Sequence, residues 1–356
     1  MTTASPLSER AAMLRALELA ATPGVPLAPN PRVGCVLIDT EGAVVAEGHH
    51  RGAGTPHAEV DALTRAGERA RGATAVVTLE PCNHTGRTGP CAQALLAAGV
   101  ARVVYAQADP NPAAAGGAAT LRAAGIEVEG GLLAEESAAL NRAWTFAVTH
   151  GRPFVTWKFA ASLDGRSAAA DGTSRWITSA AARRDTHRLR SLSDVMLVGT
   201  GTVLADDPRL TVRDADDRPL PVAEQPLRAV MGLRDIPPSS RVLDDAAPSL
   251  LLRTRDPREA LEQLHAREHR HVFLEGGPRL AAAFVAAGLV DEIVAYVAPV
   301  LLGAGPAAVA DLGITGIAEA LRPEVVDIAV LDPDVRFTLR PAAPGSPLTA
   351  PSAGGN

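Results

Sequence analysis

Residues 79–91 read LEPCNHTGRTGPC and carry two of the chain's three cysteines, Cys82 and Cys91, with His84 between them. ATAVVTL (73–79), which leads into this segment, reads as a strand; PCAQALLAAG (90–99), which leaves it, reads as a helix closed by Gly99. Cys82 thus follows Pro81 at the end of a strand, and Cys91 follows Pro90 where a helix begins. The alternation continues outward on both sides. VGCVLI (33–38) and AVVAEG (43–48) read as strands around the turn DTEG, and HAEVDALTRAG (57–67) as a helix. ARVVYAQ (101–107) is a strand, AATLRAAG (118–125) a helix and IEVEGG (126–131) a strand, and one further helix is predicted from Leu133 to Val148. Residues 7–21 hold Leu7, Leu14, Leu17 and Ala21 at helical spacing, with Ser8 as a cap. Strand and helix in alternation with short connections predict a three-layer α/β domain over residues 1–150.

HGRP (150–153) interrupts the pattern and marks a boundary. A new series starts at PFVTWKFAAS (153–162) and continues with strands DVMLVG (194–199), RAVM (228–231), SLLLR (249–253), HVFLEGG (271–277) and EIVAYVAP (292–299). Helices are predicted near 179–191, 257–267 and 278–287. A second α/β domain is therefore expected over 151–342, with the low-complexity end 343–356 disordered. The polar, proline-rich stretch 214–226 is expected to be an exposed loop.

The gross features agree with two globular domains. The chain has 356 residues, 47% hydrophobic and 21% charged, enough to bury a core in each half. Three cysteines are odd in number and too few for a disulfide framework at this size. The opening MTTASPLSERAAMLRALELA carries Glu9 and Glu18 and no apolar signal core, and no apolar run reaches the roughly 18–20 residues that span a bilayer. A cytoplasmic protein with reduced thiols and no membrane partner is expected. The net charge of −6 and aromatic content of 3% argue against nucleic-acid partners, which need basic channels and stacking surfaces. Of the 34 Lys plus Arg, one is lysine, Lys158. In a chain where arginine served everywhere else, that ammonium is either a chance survivor or chemically required.

His57-Ala58-Glu59 opens a helix just after Thr55-Pro56. Positions i and i+2 do not share a helix face, but both can reach a site lying beyond the helix N-terminus. Helix starts also lower thiolate pKa values. One His and two Cys supply three zinc ligands, and a fourth position left to water marks a catalytic zinc. An unligated Glu beside it can shuttle protons. H-x-E followed by P-C and a later Cys is the layout of zinc deaminases, although their usual cysteine spacing is shorter than the one here. His84 reads as a substrate or neighbouring contact, with a fourth ligand closing the site as the alternative.

On these residues the chain resembles a known family. PNPRVGCVLI (29–38), GHHRGAGTPHAE (48–59), VTLEPCNHTGRTGPC (77–91) and DPNPAAAGG (109–117) are similar to the deaminase half of the bifunctional deaminase/reductase of riboflavin biosynthesis, which has the longer cysteine spacing. KFAASLDGR (158–166), SRWITS (174–179), GTVLADDPRLTVR (201–213) and LEGGP (274–278) match its reductase half in order. The resemblance implies a cytidine-deaminase-like α/β/α domain followed by a dihydrofolate-reductase-like α/β domain. It implies zinc on His57, Cys82 and Cys91 with Glu59 as proton carrier, and deamination of 2,5-diamino-6-ribosylamino-4(3H)-pyrimidinone 5′-phosphate. Asn30, held between two prolines, has the donor and acceptor edge suited to reading a pyrimidine. Asn111 reads as a turn-former. Gly89 stands where the family usually has proline, and Gly117 where it often has a basic residue, which puts a phosphate contact there in question.

In the second half, VFLEGGPRLAAAF (272–284) is a strand, two glycines and Pro278 at a helix start, a turn able to hold a phosphate. By the resemblance Ala160, Trp176, Thr202, Asp206 and the run Gly277, Pro278, Arg279, Leu280, Ala281, Ala282 and Ala283 would line NADPH. Ser174, Arg190, Leu210, Arg213 and Glu275 would contact the substrate. Arg190 and Arg213 can each fork onto a phosphate. Reducing a ribosylamine needs hydride on carbon and a proton on the heteroatom, which the Lys158 ammonium or a neutral Glu275 could give. Asp164, followed by Gly165, reads instead as holding a turn. Met231-Gly232-Leu233 replaces the family's usual Asp-Ser pair near the cofactor. A homo-oligomer, dimer or tetramer, is expected. The competing readings are a monofunctional zinc deaminase with an inactive reductase-like domain, and a nucleic-acid editing protein built on the same zinc module.

Overall fold

In the computed structural model the described residues are 6–24, 28–85 and 89–341. The expected disorder of 343–356 lies outside them. The chain divides into two compact units: residues 1–154 with 261–271, and residues 155–260 with 272–356. Among the described residues no helix is long and apolar enough to cross a membrane.

The first unit is a five-stranded sheet in the order β2-β1-β3-β4-β5. β1 (Gly34–Ile38) pairs antiparallel with β2 (Val44–His49) and with β3 (Thr74–Leu79); β4 (Arg102–Gln107) and β5 (Glu127–Gly130) continue it in parallel. Side chains alternate across a strand. Cys35, Leu37, Ala75, Val77 and Val103 therefore face one way, packing with α2 (Ala58–Ala66) and α3 (Cys91–Ala98). Val36, Ile38, Val76 and Val104 face the other, packing with α1 (Glu9–Ala20). Apolar residues on both faces of the central strands produce the expected three layers. α1 is capped by Ser8, whose hydroxyl accepts from the Ala11 amide.

Two glycines set how near the helices come to the site. A Cβ on Gly48 would stand 2.4 Å from the Ala58 carbonyl, so only glycine lets the start of α2 lie on β2. A Cβ on Gly117, the first residue of α4 (Gly117–Ala123), would stand 1.8 Å from the Pro81 carbonyl. No side chain fits at 117 on this backbone, so a basic side chain cannot reach a phosphate from that position. The helix predicted over 133–148 is two helices, α5 (Ala134–Leu140) and α6 (Arg142–His150). They break at buried Asn141, whose amide accepts from the Arg32 backbone N–H at 2.8 Å and donates to the Arg32 carbonyl at 2.9 Å. A helix former was given up there to hold the segment that carries Asn30.

The second unit is an eight-stranded sheet, β12-β13-β11-β6-β10-β7-β8-β9. β6 (Phe154–Ser162), β7 (Val195–Gly199), β8 (Leu227–Met231), β9 (Ser249–Leu252), β10 (His271–Leu274) and β11 (Glu292–Ala298) match predicted strands, except that β10 ends at Leu274 and Glu275–Gly277 form the turn into α10 (Pro278–Ala286). α7 (Ala180–Arg190) and α9 (Pro257–His265) are also as expected. The short helix α8 (Thr200–Asp206) and the antiparallel pair β12 (Glu324–Leu331) and β13 (Asp334–Arg340) were not anticipated. Asp164 does hold a turn, accepting from the backbone of Leu302 and Gly303 and from the Ser162 hydroxyl.

Replacing Gly117 with alanine should lower the stability of the first unit by about 1–3 kcal/mol, the usual cost of forcing a methyl into a filled site. Denaturant unfolding followed by first-unit Trp144 would check it; unchanged stability would mean that α4 does not rest on Pro81.

Candidate active sites

β3 ends at Leu79 and the chain turns through Glu80 and Pro81 to Cys82, while α2 starts just after His57 and α3 starts on Cys91. His57 Nδ1 stands 3.2 Å from Cys91 Sγ and 3.5 Å from Cys82 Sγ, and the three donor atoms lie within 4.8 Å of one another. Ligands around a tetrahedral zinc, at bonds of about 2.0–2.3 Å, are separated by about 3.3–3.8 Å. The trio fits that ion. Among the described residues it is the one such group able to hold a metal. Neither helix start has a side-chain cap, so both positive helix ends face the sulfurs, and the Cys91 amide donates to Cys82 Sγ at 3.4 Å. The Cys91 hydrogen bonds bring the Cys82 thiol down to about 4 against the effect of burial, with His57 adding to the pull. The Cys91 thiol moves up, because it gives its proton to Cys82 and is buried. The sulfurs thus share a proton that a divalent cation would displace. Glu59 is 3% exposed, and burial raises its carboxyl pKa.

These groups open onto a cavity of about 360 Å³ that Asn30, His50, His84 and Asp109 also line. His50 Nδ1 lies 3.0 Å from the Pro56 carbonyl, which assigns the proton to Nδ1 and leaves Nε2 to accept from the Asn30 amide at 2.9 Å. The Asn30 carbonyl oxygen is thereby turned to the role of acceptor. Burial lowers the pKa of His50, so it stays neutral. Glu80 accepts from the backbone amides of Asp109, Gly116 and Ala118 and so holds the 109–118 loop against the end of β3. Burial, with the charges of Glu80 and Cys82, pushes Asp109 up to about 6. His84 lines the cavity with Nδ1 buried and without a hydrogen-bond partner, and it is not among the donor atoms that lie within 4.8 Å of one another. Asn111 accepts from the Ala113 amide as a turn-former, and a Cβ at Gly89 would meet open space. His50, Glu80 and Asp109 were missed as site residues. They lie inside the quoted motifs GHHRG, LEPC and DPNP, but nothing in their spacing distinguishes them.

In the second unit the structure brings Lys158, Arg190 and Glu275 together. Arg190 Nε and Nη2 each donate to one Glu275 oxygen at 2.7 Å, and its Nη1 donates to the Thr211 carbonyl. The fork expected to meet a phosphate is closed on Glu275. Burial pushes Glu275 up, but Arg190 and Lys158 outweigh it and hold the carboxyl at about 2. Glu275 is thus an anion and no proton donor at neutral pH. Burial lowers Lys158, with Glu275 partly offsetting it. Arg213 is turned to Asp217, and Leu210 is buried with φ of 55°. Among the described residues no hydrogen bond or ion pair joins Ser174, Trp176 or Asp206 to the Lys158 trio. Trp176 is 68% exposed with Arg183 over its ring, and Ala160 faces Tyr296 across β6 and β11.

The cofactor turn is compact. α10 begins with Gly277 as an uncapped N-cap and Pro278 in the first turn, and the Gly277 amide donates to Thr202 Oγ1 at 3.3 Å. A Cβ on Gly276 would stand 2.6 Å from Leu280. With the Gly277 N–H on Thr202, no N–H on Pro278 and the Leu280 N–H on the Gly277 carbonyl, the Arg279 N–H and the positive helix end are what this turn offers to the pyrophosphate of a dinucleotide. Gly232 has φ of 142° and its Cβ would meet Thr200 at 2.7 Å, so the expected Asp-Ser pair is replaced by backbone lying against the start of α8.

Comparison with known proteins matches this geometry. The cytidine and deoxycytidylate deaminase zinc-binding region matches residues 7–107, and the RibD C-terminal domain matches 153–337. The riboflavin biosynthesis protein RibD of Mycobacterium tuberculosis is 53% identical over 312 residues, 87% of this chain and 91% of that protein. RibD of Escherichia coli is 43% identical, covering 91% and 96%. A solved RibD of Acinetobacter baumannii aligns with a TM-score of 0.87 at 40% identity over 94% of this chain and 99% of that one. A Thermotoga maritima structure, described as a diaminohydroxyphosphoribosylaminopyrimidine deaminase/5-amino-6-(5-phosphoribosylamino)uracil reductase, aligns with a TM-score of 0.83 at 31% identity over the same shares. Relatives that span both halves in the same order place this chain in the RibD family of bifunctional riboflavin-biosynthesis enzymes, which join a zinc-dependent deaminase to an NADPH-dependent reductase.

Proposed function

We propose that the first unit hydrolyses the amino group of 2,5-diamino-6-ribosylamino-4(3H)-pyrimidinone 5′-phosphate, and that the second reduces the ribosyl side chain of the product to ribityl. The observation that carries the first step is a His/Cys/Cys trio, three donors rather than four among the described residues, whose His57 and Cys82 line a cavity together with buried Glu59. Zinc on His57, Cys82 and Cys91 supplies Lewis acidity that makes water nucleophilic near neutral pH. Glu59 would carry the protons of the attacking water, one to the ring nitrogen of the amidine and one to the amino nitrogen, so that as the C–O bond forms the C–N bond breaks, ammonia leaves and an oxo group remains. Asn30 and His84 bind the pyrimidine, with His50 orienting the Asn30 amide.

In the second unit NADPH supplies the hydride. The turn Gly277–Ala283, with Thr202, Ala160, Trp176 and Asp206, holds the cofactor, and Ser174, Arg190, Leu210, Arg213 and Glu275 hold the substrate. Lys158 gives the proton to the heteroatom. With Glu275 anionic, Lys158 is the one of the two candidate donors that can carry a proton. Reduced zinc thiolates suit the cytoplasm, which is the location we assign.

A second copy of the chain is the proposed partner of β12. This eight-residue strand forms one edge of the sheet and exposes Val325, Val326, Ile328 and Val330 by 45–75%. An apolar edge of that length invites pairing with another strand, and an antiparallel match with its own copy closes a two-fold dimer.

Three outcomes follow. Cys82→Ser should lose stoichiometric zinc and ammonia release while NADPH-dependent reduction of the deaminated substrate continues; full zinc content with continued deamination would overturn the assignment. Glu59→Gln should retain zinc and lose about 10²–10⁴-fold in deamination; a rate near that of the native enzyme would remove Glu59 from the reaction. Ile328→Lys with Val330→Lys should convert a native dimer to monomer in light scattering, and a native protein already monomeric would exclude the β12 interface.

A further inference from the structure

β6 and β11 are parallel neighbours, with Lys158 opposite Val294 and Ala160 opposite Tyr296. All four side chains therefore project from one face of the sheet, and Lys158 and Tyr296 are diagonal neighbours within reach of each other. Lys158 Nζ lies 5.6 Å from the centroid of the Tyr296 ring, within the range of a cation–π contact. Among the described residues Nζ makes no hydrogen bond, while the Glu275 carboxylate holds the Arg190 fork. Its three N–H groups are left for a ligand.

The ring beneath it is locked. Tyr296 is 1% exposed and packs with Ala182 and Val294. Its hydroxyl donates to Asp185 Oδ2 on α7 at 2.7 Å, and the same oxygen accepts from Arg336 on β13 at 2.8 Å. Burial and Asp185 both push the phenol pKa up, so the ring presents a neutral face. A flexible four-carbon stem carrying a desolvated ammonium needs such a surface to have a defined position.

We propose that Tyr296 is a positioning residue for the reduction, its clamped ring face holding the Lys158 ammonium where it can donate to the substrate heteroatom. The inference rests on the reading of Lys158 as proton donor. The charged and titratable groups around Lys158 are Glu275 in the turn after β10, Arg190 from α7 and Tyr296 from β11, with His187 of α7 acting on Glu275. Burial opposes the protonated amine most, Glu275 favours it and Arg190 opposes it; the ring face adds a cation–π attraction that favours the cation. A proton donor must carry its proton, so reduction falls as pH rises through the Lys158 pKa. Removing the ring removes part of what favours the cation, and the fall moves to lower pH.

Lys158 is the one lysine of the chain, so protein labelled with ¹⁵Nζ-lysine gives a single side-chain resonance whose titration reports it directly. In the full chain, Tyr296→Phe should leave that titration and the basic limb of NADPH oxidation in place. Tyr296→Leu should lower both by about one pH unit, a tenfold loss of reduction on the basic limb. Deamination should be unchanged in both. An unshifted Tyr296→Leu titration beside a Lys158→Met variant that no longer reduces would overturn the inference alone, whereas Lys158→Met reducing at the native rate would overturn the proton-donor reading. Should Tyr296→Leu not fold, the native protein decides: the Lys158 methylene protons must show an upfield ring-current shift that Tyr296→Phe preserves, and its absence contradicts the contact.

Discussion

The meeting of three donor atoms from three element ends is the constraint on which the first unit depends. His57 stands before α2, Cys82 after β3 and Cys91 at the start of α3. They converge within 4.8 Å because the helices come unusually close to the sheet. Gly48 admits α2 and Gly117 admits α4, each where a methyl group would strike a carbonyl. Two uncapped helix starts then supply positive potential to the sulfurs, which favours thiolate and hence metal. The pocket follows from the same framework. Asn141 breaks a helix to pin Arg32, and Glu80 gathers three backbone amides of the opposite loop.

The second unit uses charge differently. A buried ion pair such as Arg190–Glu275 is weak evidence for stability, because desolvating both charges offsets much of their attraction. Its effect on the chemistry is clearer. Fixing Glu275 as an anion takes away one of two candidate proton donors and leaves beside it an ammonium that hydrogen-bonds to no acceptor among the described residues. The cation is then steered by an aromatic face on β11 and a fixed negative charge at the end of β10.

The zinc trio was legible because its ligands are rare residue types placed at element ends, where helix and strand signals are strongest. Strands of the first sheet were legible for a similar reason, being apolar on both faces. What escaped the sequence was long-range or short-lived in pattern. Asn141 looks like an ordinary helical residue until its partner 109 residues away is known. The seven-residue α8 is too short to show a period, and β12 exposes nearly every residue, so no alternation marks it. Arg190 looked free for a phosphate because its partner lies 85 residues on. Gly117 looked like a missing cation, although the neighbouring Pro81 carbonyl leaves space for no side chain.

The central claim is that the metal has three protein ligands and an open position, with His84 left for the substrate. X-ray absorption at the zinc edge of the purified protein tests it most directly. Two sulfur scatterers at about 2.3 Å with two nitrogen or oxygen scatterers at about 2.0 Å, of which one is an imidazole, is the predicted shell. A shell with two imidazoles, closing the site with His84, would contradict the account.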